Sequence, residues 1–225
     1  MTVETNASGV VAQILQQPFN DAIDRVDGGR KIDKTWVRIC ANDKWPLFGN
    51  HIDWTGKTVL DIGCQTGYSA FQACAYGARE AIGWDVRPSA LAVADAMRVE
   101  YPDANVVFDN RDWLKNIDAA PRSDVVLCMG LLHYFAGHDY ERAFDGLFAA
   151  AREYVVIELM QTIQNGPWLV TRHDKHRTIA TETWLANRAG EMGFRVEARW
   201  AWADTETDVR ALWVFQRIKI QQGQA

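Results

Sequence analysis

The sequence predicts an α/β fold: a mostly parallel sheet with helices on both faces, a helical extension in front and an antiparallel strand pair at the end. Three observations carry this reading. From Lys57 onward, short apolar runs alternate with helical stretches, the pattern of repeated strand–helix units. The first run holds Asp61 and passes into the turn Gly63-Cys64-Gln65-Thr66-Gly67, and the next run closes on Asp85. In the last third, two β-like runs flank the short acidic segment 204–208, and a short connection between neighbouring strands makes them antiparallel.

Residues 1–56 do not follow the alternation and form a separate N-terminal extension ahead of a domain over 57–220. Short helices are expected over 10–17 and 20–26, with Pro18 between them and Gly28-Gly29 ending the second. The extension is either a lid over the cleft or a packed appendage at the sheet edge. Parallel strands are expected over 58–62, 81–84, 105–108, 124–129 and 154–158. Helices are expected over 68–76, 88–100 and 140–151, with Pro88 in a first turn where its missing N–H costs nothing. A long connection, 159–179, leads to a helix over 181–192, opened by a Thr cap and stopped by Gly193. The paired strands then follow over 195–203 and 209–218, and the tail from 221 frays.

Bulk composition narrows the function. A chain of 225 residues with 48% hydrophobic and 24% charged content is ordinary for one globular domain. No apolar run approaches the roughly 18 residues of a membrane span. The first residues lack the basic-then-apolar pattern of a secretory signal. Cys40, Cys64, Cys74 and Cys128 lack metal-like pairing and read as reduced thiols, which gives a cytoplasmic expectation. The net charge of −5 argues against nucleic acid as main partner. A local group, Lys31, Lys34, Arg38 and Lys44 with Trp36 and Trp45, is either a basic patch or, more plainly, a solvated face.

The turn after the first strand is the chemical signature. An acid closing the second strand accepts hydrogen bonds from ribose hydroxyls, which assigns Asp85 to a nucleoside. Dinucleotide sites use Gly-x-Gly-x-x-Gly to admit a pyrophosphate. Here Gln65 replaces the second glycine, and Asp61 places a carboxylate where a cationic ligand fits better than a pyrophosphate. These residues resemble motif I of the class I S-adenosylmethionine-dependent methyltransferases, which Asp61, Gly63 and Gly67 match and Gln65 departs from. The resemblance implies a Rossmann-like, seven-stranded sheet of five parallel strands plus a C-terminal antiparallel hairpin. It also implies S-adenosylmethionine as cofactor, with S-adenosylhomocysteine as product. Asp61, Gly63, Gln65, Gly67, Asp85, Val86 and Met129 make its cofactor set. By the same resemblance Asp112 accepts from the adenine amino group and Trp113 covers a ring face. Asp109 and Asn110 are a competing register, and capping of the next helix is the plainer role for Asp112.

The fourth strand leads into Met129-Gly130-Leu131-Leu132-His133-Tyr134. Ligands of open α/β sheets sit outside the carboxyl ends of strands, so His133 and Tyr134 are expected to face the transfer site. His133 is the candidate general base, with packing as the alternative. Glu158, ending the fifth strand, and Arg172, His173 and His176 in the following connection are candidate acceptor contacts, with His173 a second proton-transfer group and Arg177 beside them. His173-x-x-His176 with Asp174 offers too few ligands for a metal, and none is expected.

A narrower resemblance rests on residues 53–68, Gly77-Ala78, Gly83-Trp84-Asp85, 128–133, 156–158 and Gly193. These resemble the bacterial tRNA wobble-uridine carboxymethyltransferase group over roughly residues 50–200. That group has a longer basic N-terminal region and a Tyr-His pair where this chain has His133-Tyr134. The reading is therefore a methyltransferase acting on a hydroxyl or amine of a small, aromatic or heterocyclic metabolite. An RNA-modifying enzyme is the first alternative, and a non-catalytic cofactor-binding regulatory or scaffold subunit the second.

Overall fold

The computed structural model describes residues 16–27, 34–163, 169–172, 177–203 and 208–219. Among them, nine strands form one sheet in the order β3-β2-β1-β4-β5-β7-β6, with β9 on β5 and β8 on β9. The parallel part comprises β1 (Thr58–Ile62), β2 (Glu80–Asp85), β3 (Val106–Asn110), β4 (Ser123–Met129) and β5 (Ala151–Thr162). All five residues of β1 are buried, as a central strand covered on both faces requires. Side chains alternate between two apolar layers. Val59, Val125 and Val156 face one layer with α4 (Tyr68–Ala75) and α5 (Pro88–Glu100). Leu60, Val126 and Ile157 face the other with α7 (His138–Ala150) and α8 (Glu182–Glu191).

The described part of the N-terminal extension joins the first layer. Helix α1 (Gln16–Asp27) runs straight through Pro18, which stands in its first turn, so the expected break there does not occur. The expected helix over 10–17 otherwise lies outside the described residues. Helix α2 (Lys34–Ile39), a wide helical turn (Cys40–Lys44) and α3 (Trp45–Phe48) follow. Phe19, Val37, Trp45, Phe48 and Trp54 are buried in the same cluster as Val59 and Phe71. The two tryptophans keep their polar edges satisfied. Trp45 Nε1 donates to Ser69 Oγ at 3.3 Å and Trp54 Nε1 to the Gly49 carbonyl at 2.7 Å.

This packing delivers Lys44, only 1% exposed, to a fully buried Glu158 at 3.2 Å. Arg210, on β9, approaches the other oxygen of the same carboxylate at 2.8 Å. One buried anion thus joins the extension, β5 and β9.

The sheet exceeds the seven strands expected. Strand β5 overruns β4, whose last pairing joins Met129 to Glu158. Past that point Gln161 and Thr162 pair with Ala180 and Thr181 of β7 (Arg177–Thr181), and β6 (Leu169–Arg172) pairs antiparallel with β7. The connection expected over 159–179 therefore contains a hairpin. Beyond β5 the terminal pair is as expected, with β9 (Asp208–Arg217) antiparallel to β5 and β8 (Phe194–Ala203) outside it. The cap of α8 also holds, since Trp184 N–H donates to Thr181 Oγ1 at 3.1 Å.

Removing the shared anion leaves two cations without their counter-charge. Glu158→Gln is expected to cost about 3–5 kcal/mol in urea-induced unfolding, and an unchanged midpoint would deny the triad its structural role.

Candidate active site

The turn after β1 takes its shape from backbone conformation and from two bonds to the end of β2. Gly63, Gln65 and Gly67 have φ of 74°, 53° and 77°. Gly63 and Cys64 N–H both donate to the Trp84 carbonyl, at 2.8 and 3.1 Å, and Gly67 N–H closes on the Cys64 carbonyl at 2.8 Å. Packing alone demands the glycine at Gly67: a Cβ there would lie 2.5 Å from the Phe108 ring. Gln65 keeps the left-handed conformation a glycine would adopt, at a cost on the order of 1 kcal/mol. It is the one non-glycine with positive φ among the described residues. Its N–H donates to Asp85 Oδ2 at 2.9 Å.

Asp85 is 6% exposed, and its Oδ1 accepts from Arg87 N–H at 2.9 Å and Nε at 3.4 Å. Asn110 Nδ2 and Arg111 N–H donate to the Asp85 carbonyl at 3.0 and 3.2 Å. Two cavities meet at this residue, sharing Gly63, Asp85, Val86 and Leu131. One, of about 300 Å³, adds Gln65, Arg87, Met129 and Tyr134. The other, of about 220 Å³, adds Arg111, Asp112, Trp113 and Phe135. The structure thus brings together Gly63, Gln65, Asp85, Val86, Asp112, Trp113 and Met129 around one cleft at the carboxyl ends of the strands, where ligands of such sheets bind.

Two sequence-named residues stand behind this lining. Gly67 serves as N-cap of α4. Asp61 is buried on the strand face covered by the extension, and its Oδ2 has no partner among the described residues. Burial, and then the charge of Asp85, push its carboxyl up to about 7. A buried acceptor lacking a donor, beside a cleft with a second carboxylate, fits a cationic, hydroxyl-bearing ligand and agrees with the cofactor expected.

On the nucleoside side, Asp112 occupies the cap position of α6 (Trp113–Asn116), but its side chain makes no cap bond and faces Lys115 at 3.4 Å. Trp113 is buried, with Nε1 donating to the Ala143 carbonyl at 3.1 Å. The competing register is engaged elsewhere: Asp109 pairs with Arg111 at 3.4 Å, and Asn110 holds the Asp85 carbonyl. Sequence reasoning missed Arg87 and Arg111, which flank the acid. A cation two residues after a strand-closing carboxylate was the available signal for Arg87.

On the acceptor side the two neighbours diverge. Tyr134 is 60% exposed and lines the larger cavity, whereas His133 is 1% exposed, with its ring centroid 4.5 Å from that of Tyr134. Both were expected to face the cleft. They lie in a tight helical turn (Leu132–Tyr134), where successive side chains cannot share a direction. Glu158, expected at the cleft, is sealed in its ion pairs and lines neither cavity. Arg172 closes β6, while His173 and His176 lie outside the described residues. Among the described residues no three potential metal ligands converge. Burial pushes the Cys40 and Cys74 thiols up to about 12 and about 11, and Cys64 and Cys128 upward too, so none is a ready nucleophile at neutral pH.

Sheet order, turn and acid describe a nucleoside-cofactor domain. Residues 59–153 match the family described as a methyltransferase domain. A tRNA U34 carboxymethyltransferase of Pseudomonas syringae pv. tomato (strain ATCC BAA-871 / DC3000) is 29% identical over 147 residues, 59% of this chain and 42% of that protein. One from Hahella chejuensis (strain KCTC 2396) is 32% identical over 120 residues, 52% of this chain and 34% of that protein. The chain spans less than half the length of these curated relatives. Magnesium protoporphyrin IX methyltransferase from Synechocystis PCC 6803, solved with S-adenosylhomocysteine, superposes with a TM-score of 0.65 at 15% identity, covering 88% of this chain and 94% of that one. Burkholderia thailandensis 1,6-didemethyltoxoflavin-N1-methyltransferase, solved with 1,6-didemethyltoxoflavin and S-adenosylhomocysteine, gives 0.62 at 16%, covering 96% and 94%. At these identities the structures share the fold. Residues 59–153 are thus similar to a methyltransferase domain, within a fold shared with methyltransferases solved with S-adenosylmethionine or S-adenosylhomocysteine, and S-adenosylmethionine is the cofactor to which that similarity points.

Asp61 makes the ligand-free fold pH-sensitive. In the unfolded chain it releases its proton near the ordinary aspartate value of 3.8, in the folded chain only at about 7. Between those values the folded state binds the extra proton, so stability falls as pH rises through the window and stays lower above it. Asp61→Asn is expected to raise the melting temperature of the ligand-free protein more at pH 8 than at pH 4. Equal shifts at both would refute the assignment.

Proposed function

We propose that this chain is an S-adenosylmethionine-dependent methyltransferase whose acceptor is a hydroxyl or amine of a small metabolite. The observation that carries the reading is the pair of cavities joined at Asp85, with Tyr134 exposed on the rim of the larger one. Asp85 holds the ribose hydroxyls, and Val86, Asp112 and Trp113 bound the adenine. Gly63, Gln65 and Met129 line the remaining length. When bound, the cofactor supplies an activated methyl group on a sulfonium, so the protein's task is mainly alignment and exclusion of water.

Tyr134 contacts the acceptor at the rim. A hydroxyl acceptor must lose a proton as its oxygen takes the methyl group; the Tyr134 hydroxyl relays it, taking that proton as it gives its own to the neutral His133 imidazole behind it, which becomes the imidazolium. An already neutral amine attacks without a base and sheds its proton afterwards. Arg172, His173 and His176 belong to the connection that follows β5 and are further acceptor contacts. Glu158 is reassigned from acceptor contact to positioning residue, since it holds Lys44 and Arg210 in place.

Support for a small acceptor comes from two directions. The net charge is −5, and structural relatives include the toxoflavin-precursor and magnesium protoporphyrin IX enzymes. An RNA acceptor is the second reading, favoured by curated relatives named as tRNA U34 carboxymethyltransferases. Four free cysteines fit a cytoplasmic location. Among the described residues no helix is long and apolar enough to cross a membrane.

Calorimetric titration with S-adenosylmethionine and S-adenosylhomocysteine, then methyl transfer assays on metabolite and RNA fractions, test the reading. Micromolar binding with transfer to a metabolite is the expected result. Salt-sensitive tRNA binding with transfer would favour the second reading, and binding without any turnover a regulatory subunit. Asp85→Ala is expected to lower S-adenosylhomocysteine affinity by roughly tenfold or more; wild-type affinity would remove Asp85 from the site. Tyr134→Phe should reduce turnover on a hydroxyl acceptor and leave cofactor affinity unchanged, and undiminished turnover would clear Tyr134 of the proton role.

A further inference from the structure

Tyr134 and Phe135 are neighbours in the chain, yet Tyr134 lines the larger cavity and Phe135 the smaller. The course of the backbone through this pair therefore bears on both cavities. At its entrance the pair is held locally, with Tyr134 N–H donating to the Leu131 carbonyl and Phe135 N–H to the Leu132 carbonyl, both at 3.0 Å. The exit is different. Gly137, the N-cap of α7, has φ 54° and ψ −126°, a conformation open to glycine and strained for a residue with a side chain. A Cβ there would meet nothing within 4 Å, so the path of the backbone, not packing, asks for glycine.

One residue from the hairpin after β5 grips this exit at both ends. Thr178 N–H donates to the Phe135 carbonyl at 3.3 Å, and Thr178 Oγ1 accepts from Gly137 N–H at 3.0 Å. Thr178 is fully buried and lies on β7 opposite Thr171 of β6. The first bond would be made by any residue but proline, whereas the second requires a side-chain acceptor. A valine would fill the same dry space and suit a strand at least as well, so burial and strand geometry do not account for the hydroxyl.

We propose that Thr178 is a positioning residue for the cofactor cleft: its hydroxyl holds Gly137 and thereby keeps Tyr134 and Phe135 in place at their two cavities. The inference rests on the cofactor reading above. Coupling of this kind is reciprocal, so a latch that strengthens ligand binding is itself strengthened by the ligand.

Two variants and one exchange measurement test it. Thr178→Val removes the acceptor and nearly keeps the shape, and Thr178→Ser keeps the acceptor. By calorimetry Thr178→Val is expected to bind S-adenosylhomocysteine roughly fivefold or more weakly, the scale of one lost hydrogen bond, and Thr178→Ser to stay within about twofold of wild type. In the wild-type protein, saturating S-adenosylhomocysteine should slow hydrogen exchange at the Gly137 amide by about fivefold or more. A purely structural threonine would lower the melting temperature of Thr178→Val and leave S-adenosylhomocysteine affinity and Gly137 exchange unchanged; that result, or equal losses of affinity in the two variants, overturns the proposal. Should Thr178→Val fail to fold, exchange in the wild-type protein decides alone, and an unchanged Gly137 rate overturns the proposal. Wild-type protein that does not bind S-adenosylhomocysteine would instead overturn the cofactor reading, and this inference with it.

Discussion

Three successive N–H groups of the turn after β1 are held by two successive residues at the end of β2. Gly63 and Cys64 share the Trp84 carbonyl, and Gln65 takes the Asp85 carboxylate. The site depends on this clamp. It fixes where α4 begins, orients the carboxylate that lines both cavities, and sets the gap into which the Phe108 ring fits. That ring also limits Gly83, where a Cβ would stand 2.7 Å from it. Two glycines, one capping α4 and one within β2, are thus required by one aromatic side chain. The shape of the cleft follows from apolar packing beneath it as much as from any ligand above it.

Buried charge joins the rest. Asp61 and Glu158 both lie on the sheet face that the N-terminal extension covers, yet their surroundings differ. Glu158 has Lys44 and Arg210, so it holds three elements together. Asp61 retains an unsatisfied oxygen, and burial favours its protonated form. Equal chemistry under one roof becomes structural glue in one case and an unpaired buried acid in the other, and the nearest cation decides between them.

Much of this was legible in the residues, and the gaps have physical causes. The bounds of β1 and α5 follow from an apolar run and from a proline in a first turn, both local signals. Asp85 was readable as the acid closing the second strand, and Val86, Asp112 and Trp113 through the family resemblance; all four line one cavity. Strands β6 and β7 were missed because four and five residues give too short a pattern to distinguish from loop. Helix α1 was split at Pro18 because a proline reads as a break unless the helix start is known. Glu158 was misdirected because its partner Lys44 lies 114 residues away, and strand parity turns it from the cleft toward the extension. His133 and Tyr134 could not be told apart without knowing that they share a tight turn.

The overrun of β5 past β4 has a bearing on how acceptors are told apart. Where β4 ends, β7 takes up the exposed backbone of Gln161 and Thr162, and Thr178 ties the hairpin to Phe135 and Gly137 just beyond Tyr134. The flank beside the rim is hung from a strand and buttoned to the very turn that carries the rim tyrosine. Lengthening or shortening that hairpin would reshape the mouth while β1, β2 and the cofactor turn stay untouched. The frame therefore lets one edge of the sheet vary while the turn after β1 keeps its shape.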